Sequence, residues 1–208
     1  MSLLAVLALS LVLPLATPAD WEILTFRGIP PNRVRFDDRG MTIDVDRSAG
    51  PVVLALAGPT RIREVRVAGR LTGTVRTTPE LQGAKGADDF ALRVGLVEAG
   101  QRRPGVLERR FAPEWVRRLF ALAPPGRGVG HVRFFNLGLD GSQIGWSRTH
   151  PRSDLLFEEV IAAPGDDGRF DFTARTSGAP VLALWLSADG DDTGSSFTVR
   201  IERLDLAQ

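Results

Sequence analysis

Met41-Thr42-Ile43-Asp44-Val45-Asp46 alternates apolar and polar side chains with a period of two. Successive side chains of a β-strand point to opposite faces, so this stretch predicts a strand with one buried and one wet face. Asp37-Asp38-Arg39-Gly40, just before it, is a turn signal, and residues 33–36 form a second short strand, so together they predict a hairpin. The same pattern recurs outward along the chain. In residues 63–71, Val65, Val67 and Leu71 share a face; in 89–97, Phe90, Leu92, Val94 and Leu96 do so. Residues 52–57 are a short continuous apolar strand, and 131–137, 155–161, 169–174, 181–187 and 197–206 complete the set. In the last of these, Phe197, Val199 and Ile201 point one way and Leu204 and Leu206 the other, which a bulge near Glu202-Arg203 would reconcile.

One helix stands out. Residues 112–121 carry Pro113 and Glu114 in the first turn, Trp115, Leu119 and Leu122 fall at helical spacing, and Pro124-Pro125-Gly126 ends the segment. Trp115 is expected to pack this helix onto a sheet and Trp185 to lie in the core. About ten strands and one short helix predict an all-β fold, an antiparallel β-sandwich.

The chain has 208 residues, a length that one all-β domain can fill. Its net charge is +1, so there is no electrostatic footprint for nucleic acid. Lys85 is the only lysine, and the many arginines are scattered among Asp and Glu as on a solvated face. The absence of cysteine excludes disulfides, thiolate metal sites and cysteine nucleophiles. Leu3 to Ala16 is almost wholly apolar and too short for a ~20-residue spanning helix. With the small residues Thr17 and Ala19 behind it, it reads as a signal peptide, residues 1–19, cleaved after Ala19. The alternatives are a retained membrane anchor and a hydrophobic first strand. On the cleaved reading, residues 20–208 form a single periplasmic or secreted domain, a monomer with no membrane span.

Few residues could carry chemistry. Asp189, Asp191 and Thr193 place oxygens at alternate positions ahead of Gly194, as in the first half of a calcium loop. The twelfth position is Arg200, where a bidentate Glu is needed, and the flanks read as strands, so the loop is no EF-hand. A distant acid could complete a structural Ca²⁺ site, and Asp88-Asp89 is the best candidate; a polar hairpin turn is the alternative. Gly145-Trp146-Ser147-Arg148-Thr149-His150 lies in a polar loop. Trp146 there could be a stacking platform for a sugar ring with Arg148 and His150 as hydrogen-bond donors, or could fold back to cap the sandwich. Glu158 and Glu159 are adjacent, so on a strand they face opposite sides and cannot converge as a glycosidase pair. The chain contains no H-E-x-x-H, G-x-S-x-G or G-x-x-x-x-G-K.

Three segments resemble an uncharacterised family of exported bacterial proteins, domain-of-unknown-function family 3047. Trp21-Glu22-Ile23-Leu24-Thr25-Phe26 with Ile29-Pro30 is similar to its first strand. Lys85-Gly86-Ala87-Asp88-Asp89-Phe90-Ala91-Leu92-Arg93-Val94 resembles its K-x-x-D-D-aromatic-A-x-R-V segment, and residues 184–194 with 201–204 its D-x-D-x-T-G loop and final strand. The resemblance implies export and a jelly-roll-like β-domain of the kind seen in carbohydrate-binding modules. It transfers no catalytic residue.

Three readings of function follow. The first is a non-catalytic exported domain that binds a glycan or cell-envelope ligand, with a structural Ca²⁺. The second is a polysaccharide hydrolase or lyase using Asp88, Asp89 and Glu158 or Glu159, and the third an envelope structural or protein-interaction domain. The first two differ over whether at least two of those acids gather in a cleft.

Overall fold

The alternating stretch lies in a seven-residue strand whose apolar phase is buried throughout, while its polar phase runs from buried Thr42 to exposed Asp46. Met41, Ile43 and Val45 are at most 3% exposed, whereas Asp46 is exposed. The computed structural model describes residues 10–76, 82–105, 110–151 and 153–208. The strands in chain order are β1 Ser10–Val12, β2 Glu22–Ile23, β3 Arg33–Asp37, β4 Gly40–Asp46, β5 Ala49–Arg61, β6 Glu64–Thr74 and β7 Leu92–Gly100. They continue as β8 Gly128–Leu137, β9 Ser147–Thr149, β10 Leu156–Ala162, β11 Arg169–Arg175, β12 Pro180–Asp189 and β13 Ser196–Ala207. Helix α1, Glu114–Ala121, joins β7 to β8 in the sequence.

The strands form two sheets. One runs β11-β6-β13-β4-β3, with β1 also paired to β13; the other runs β2-β5-β12-β7-β8-β10-β9. The protein is therefore an all-β sandwich, with the short helix α1 packed on it. The main core lies between the sheets, where Ile43, Val67, Phe172, Val199 and Leu204 of the first meet Val52, Val94, Leu96, Phe135 and Leu186 of the second. A second apolar cluster covers part of the outer face of the second sheet: Val53, Phe134 and Trp185 lie under Leu119 and Phe120 of α1. Trp115 seats the helix through edge contacts with Trp185 at 5.8 Å and Phe26 at 5.9 Å between ring centroids. Both tryptophan expectations hold.

The predicted hairpin is present: β3 and β4 pair antiparallel from Arg33↔Asp44 to Asp37↔Gly40. Gly40 is required there, because its φ is +123° and a Cβ would stand 2.1 Å from the Ile201 carbonyl oxygen. The irregular last strand is also as expected. The ladder of β13 with β6 shifts register between Ile201 and Arg203, and Ile201, Leu204 and Leu206 are all fully buried. Before the shift β13 pairs with β4 on its other edge, and after it with β1.

Two expectations need correction. The sandwich is not wholly antiparallel, since β10 runs parallel to β8. The connection between them spans 18 residues and carries β9, which pairs antiparallel on the far side of β10, so the chain has length enough for a crossover. The strand expected over 89–97 begins only at Leu92, because Asp88 and Asp89 are engaged by another loop, described below.

Residues 1–9 of the expected leader lie outside the described residues. Its remainder is docked: Leu13 and Leu15 are 6% and 7% exposed, the Leu13 N–H bonds the Leu204 carbonyl at 3.1 Å, and the Trp21 indole N–H bonds the Pro14 carbonyl at 3.0 Å. No helix among the described residues is long and apolar enough to cross a membrane.

Candidate functional site

Beside the patch under α1, the outer face of the second sheet turns polar. Arg93 is the second residue of β7, and its ladder partners are Asn136 on β8 and Ser187 on β12. Residues opposite one another in a ladder share a face, so these three point outward together. Two residues beyond Ser187, Asp189 keeps that phase. On β10, Glu158 lies opposite Arg148 of β9 and beside Phe134 of β8, on the same face. All are covered by two loops, residues 82–90 and 190–195. Asn136 is fully buried, and its amide makes no hydrogen bond among the described residues.

Arg93 is the hub of this cluster. Its Nε donates to Asp189 Oδ2 at 2.6 Å, its Nη1 to Glu158 Oε1, and its Nη2 to the Asp88 carbonyl at 2.7 Å and Asp88 Oδ1 at 3.1 Å. Its guanidinium also lies 4.4 Å from the centroid of the Phe90 ring. Arg148 is a second clamp on the same acids. Its Nε donates to Glu158 Oε2 at 2.7 Å, its Nη2 to Asp88 Oδ1 at 2.7 Å and its Nη1 to the Gly83 carbonyl. His150 Nε2 lies 3.2 Å from Asp88 Oδ2. Two guanidinium groups thus bridge Asp88 and Glu158, and Glu158 is only 1% exposed.

The two acidic loops meet. Asp89, itself 1% exposed, accepts from the Asp192 N–H at 3.2 Å, the Thr193 N–H at 2.7 Å and the Thr193 hydroxyl at 2.5 Å. The Asp88 N–H donates to Asp192 Oδ2 at 3.2 Å, and the Asp189 N–H to the Phe90 carbonyl at 3.0 Å. Asp89 thereby satisfies donors that a tight loop leaves without partners, as a helix-capping carboxylate does.

Electrostatics sorts the acids. Burial pushes the Asp88 carboxyl up, but the His150 bond and the guanidinium groups of Arg93 and Arg148 outweigh it and hold the group down at about 2. Burial dominates at Asp189 and drives it up to about 6 against the pull of Arg93, with Asp191 and Asp89 adding repulsion. Asp191 is also raised, by burial first and then by Asp89. Burial works against the charge of Arg93, yet Asp189 and Asp88 keep its pKa above the ordinary arginine value.

The sequence-derived residues therefore fall into one neighbourhood, differently employed from their simplest readings. Trp146 is half-buried and stacks on Phe90 with 6.5 Å between centroids at 28°, and the Arg148 guanidinium stands 5.2 Å from its ring. Arg148 and His150 point at Asp88. A Ca²⁺ ion needs six to eight oxygens at about 2.3–2.6 Å. Here the oxygens of Asp88, Asp89 and Asp189 are turned toward N–H groups, a hydroxyl and guanidinium, and this arrangement does not fit such an ion. Among the described residues, Asp88, His150 and Glu158 bring ligand atoms within 4.8 Å of one another; no three of Asp88, Asp89, Asp189 and Asp191 do.

Neither the role of Arg93 nor the burial of Glu158 is evident from local sequence. Arg93 occupies the outward phase of its strand, where a charged residue ordinarily meets water. It is buried because β7 is central in its sheet and two loops fold over it.

The protein is thus an all-β sandwich with an arginine-centred acidic cluster at one end of the outer face of one sheet. No family model and no curated protein matches the sequence. Similar solved structures include the family 11 carbohydrate-binding module from Clostridium thermocellum, bound to a mixed-linked tetrasaccharide (6% identity, 95% of this chain and 94% of that one, TM-score 0.44). A xylan-binding module, CBM15, is similar at 10% identity over 96% of each chain with a TM-score of 0.40. The enzymatically active domain of tailspike protein 4 from bacteriophage CBA120 is similar at 7% identity and a TM-score of 0.42 over 93% of this chain, which spans a fifth of that longer one. Likeness at this level carries no ligand or activity to this chain.

Proposed function

We propose that this is an exported, non-catalytic binding module whose ligand is a glycan or another component of the cell envelope. The clamp on Asp88 and Glu158 is the observation behind it. A polysaccharide hydrolase needs one carboxyl that holds a proton near neutral pH and a second free to act as base or nucleophile. Here two arginines bridge the two acids, and Asp88 stays ionised far below neutrality. Both carboxylates are thus taken up by guanidinium groups, which is the arrangement of a structural anchor. In this reading the half-buried Trp146 is the stacking face for a sugar ring, and Arg148 and His150, held against Asp88, are the polar groups beside it. Export rests on the apolar segment of residues 3–16.

The test is retention of the purified protein on a panel of envelope and plant polysaccharides, together with an assay for released reducing ends. Binding without release is expected, and Trp146→Ala is expected to weaken it by about fivefold or more, the loss of roughly 1 kcal/mol that marks an anchoring side chain. No retention on any polymer overturns the glycan reading. Steady release of reducing ends overturns the non-catalytic one.

A further inference from the structure

The arginines look scattered along the sequence, but residues 102–127 hold seven of them against two glutamates in a chain whose net charge is only +1. This stretch includes α1 and builds a cavity of about 540 Å³ that shares no lining residue with the acidic cluster. Its floor is apolar: Val116 and Phe120 of α1 face Pro124 and Pro125. Phe120 is 8% exposed and also belongs to the apolar cluster over the second sheet, so the floor rests on the folded body. Arg103, Arg117 and Arg127 form the rim, and no Asp or Glu is among the described lining residues.

The state of those arginines defines what the cavity accepts. Arg103 donates to the Gly126 carbonyl, and Arg117 to the Ala112 carbonyl at 3.2 Å. Among the described residues none of the three rim arginines makes an ion pair, in contrast to Arg93, Arg148 and Arg118 in the same protein. Bonds to neutral carbonyls position a guanidinium without neutralising it. These two groups and Arg127, around an apolar floor, complement a ligand with a hydrocarbon or aryl body and an anionic head, and the planar fork of arginine suits carboxylate, sulfonate or phosphate. The volume falls within the range of small-molecule sites.

We propose that this cavity binds an amphipathic organic anion, with its apolar body on Val116, Phe120, Pro124 and Pro125 and its head on Arg103, Arg117 and Arg127. The site is separate from the acidic cluster, so its fate is independent of the glycan reading.

The experiment is a fluorescence titration of the full chain with 1-anilinonaphthalene-8-sulfonate. Its neutral relative N-phenyl-1-naphthylamine measures the contribution of the head group. Saturable 1:1 binding that weakens with salt and is displaced by monomeric laurate is expected. The double variant R117Q/R127Q, with an unchanged melting temperature, is expected to lose about tenfold or more in affinity for the sulfonate and little for the neutral dye, as removal of charge-assisted hydrogen bonds requires. Equal affinity for both dyes, or no change in the double variant, overturns the proposal. So does binding to phosphatidylglycerol vesicles with no displacement by laurate, which would assign the basic face to a membrane surface. Displacement by polygalacturonate and not by laurate likewise overturns it.

Discussion

Replacing Arg93 with methionine tests the hub of the acidic cluster. Methionine keeps most of the volume and removes the charge. Glu158 would keep Arg148, but Asp189 would lose the guanidinium that faces it at 2.6 Å, and Asp88 one of its two. Removing one partner of a buried ion pair costs about 3–5 kcal/mol, because the remaining charge stays buried without compensation. For a chain of 208 residues, an unfolding entropy of about 2 cal/mol/K per residue converts this into a fall in melting temperature of roughly 7–12 °C. The assay is thermal unfolding followed by circular dichroism at pH 7, with R93M/D189N measured alongside. The double variant is expected to recover part of the loss, since a neutral amide at 189 needs no counter-charge. Lowering the pH from 7 to 5 is also expected to stabilise R93M more than the wild type, because Asp189 can then take a proton. A melting temperature for R93M within about 2 °C of wild type at pH 7 would refute the reasoning, since ordinary surface substitutions move stability by about that little.

Three further outcomes are expected. Asp189 is raised from 3.8 to about 6, so the folded state binds the extra proton between those values; stability should rise by up to about 3 kcal/mol as pH falls through that window. Asp88, held at about 2, contributes stability that is present above 3.8 and lost as pH falls toward 2. Melting temperature should therefore peak near pH 4–5, and Asp189→Asn should remove the rise on the neutral side; a profile flat from pH 7 to 4 in the wild type would contradict the Asp189 assignment. Added calcium or a chelator should leave the melting temperature unchanged, because the carboxylates of Asp89 and Asp189 are already engaged; a rise of several degrees with calcium would show that the loop rearranges around an ion. A chain starting at Asp20 loses the burial of Leu13 and Leu15, about 1.5–3 kcal/mol each, and should melt on the order of 10 °C below a chain starting at Ser10. Equal melting temperatures would show that the docked segment is dispensable, as cleavage after Ala19 requires.

How much of this was legible in the sequence depended on how local the cause was. Strands such as β4 and β11 announce themselves because their alternation is the direct consequence of one buried face, and the bulge in β13 could be read from the phase change between Ile201 and Leu204. The parallel pairing of β10 with β8 left no mark, since parallel and antiparallel ladders on an outer sheet can share the same pattern of residues. Strand β9 is only three residues long and mostly polar, too short for a period to show. At the site, the distinctive residues were identified from their types: Asp88, Asp89, Asp189, Thr193, Trp146, Arg148 and His150 do fall within one neighbourhood. What sequence could not supply was the partner of each. Asp189 and Arg93 are 96 positions apart, and Arg148 and Asp88 are 60 apart.

That separation also explains why the calcium pattern and the observed structure share residues. A loop of alternating oxygens near a second acidic segment needs positive charge from some source. A cation and a guanidinium are alternative answers, and local spacing cannot distinguish them. In this fold β7 passes between β12 and β8, so whatever side chain occupies the outward phase at position 93 lies against both acidic loops. With arginine there, the charge is delivered covalently by the sheet itself, and Asp89 is left to satisfy the loop N–H groups around Thr193. A cation would have to displace the Arg93 guanidinium from Asp189 and break its bonds to Asp88 and Glu158 as well. The identity of one residue on a central strand therefore decides between the metal reading and the arginine reading of the whole cluster. Arg93→Met removes the guanidinium that would compete with an ion, so calcium sensitivity should appear in that variant if the acidic loops can hold one at all.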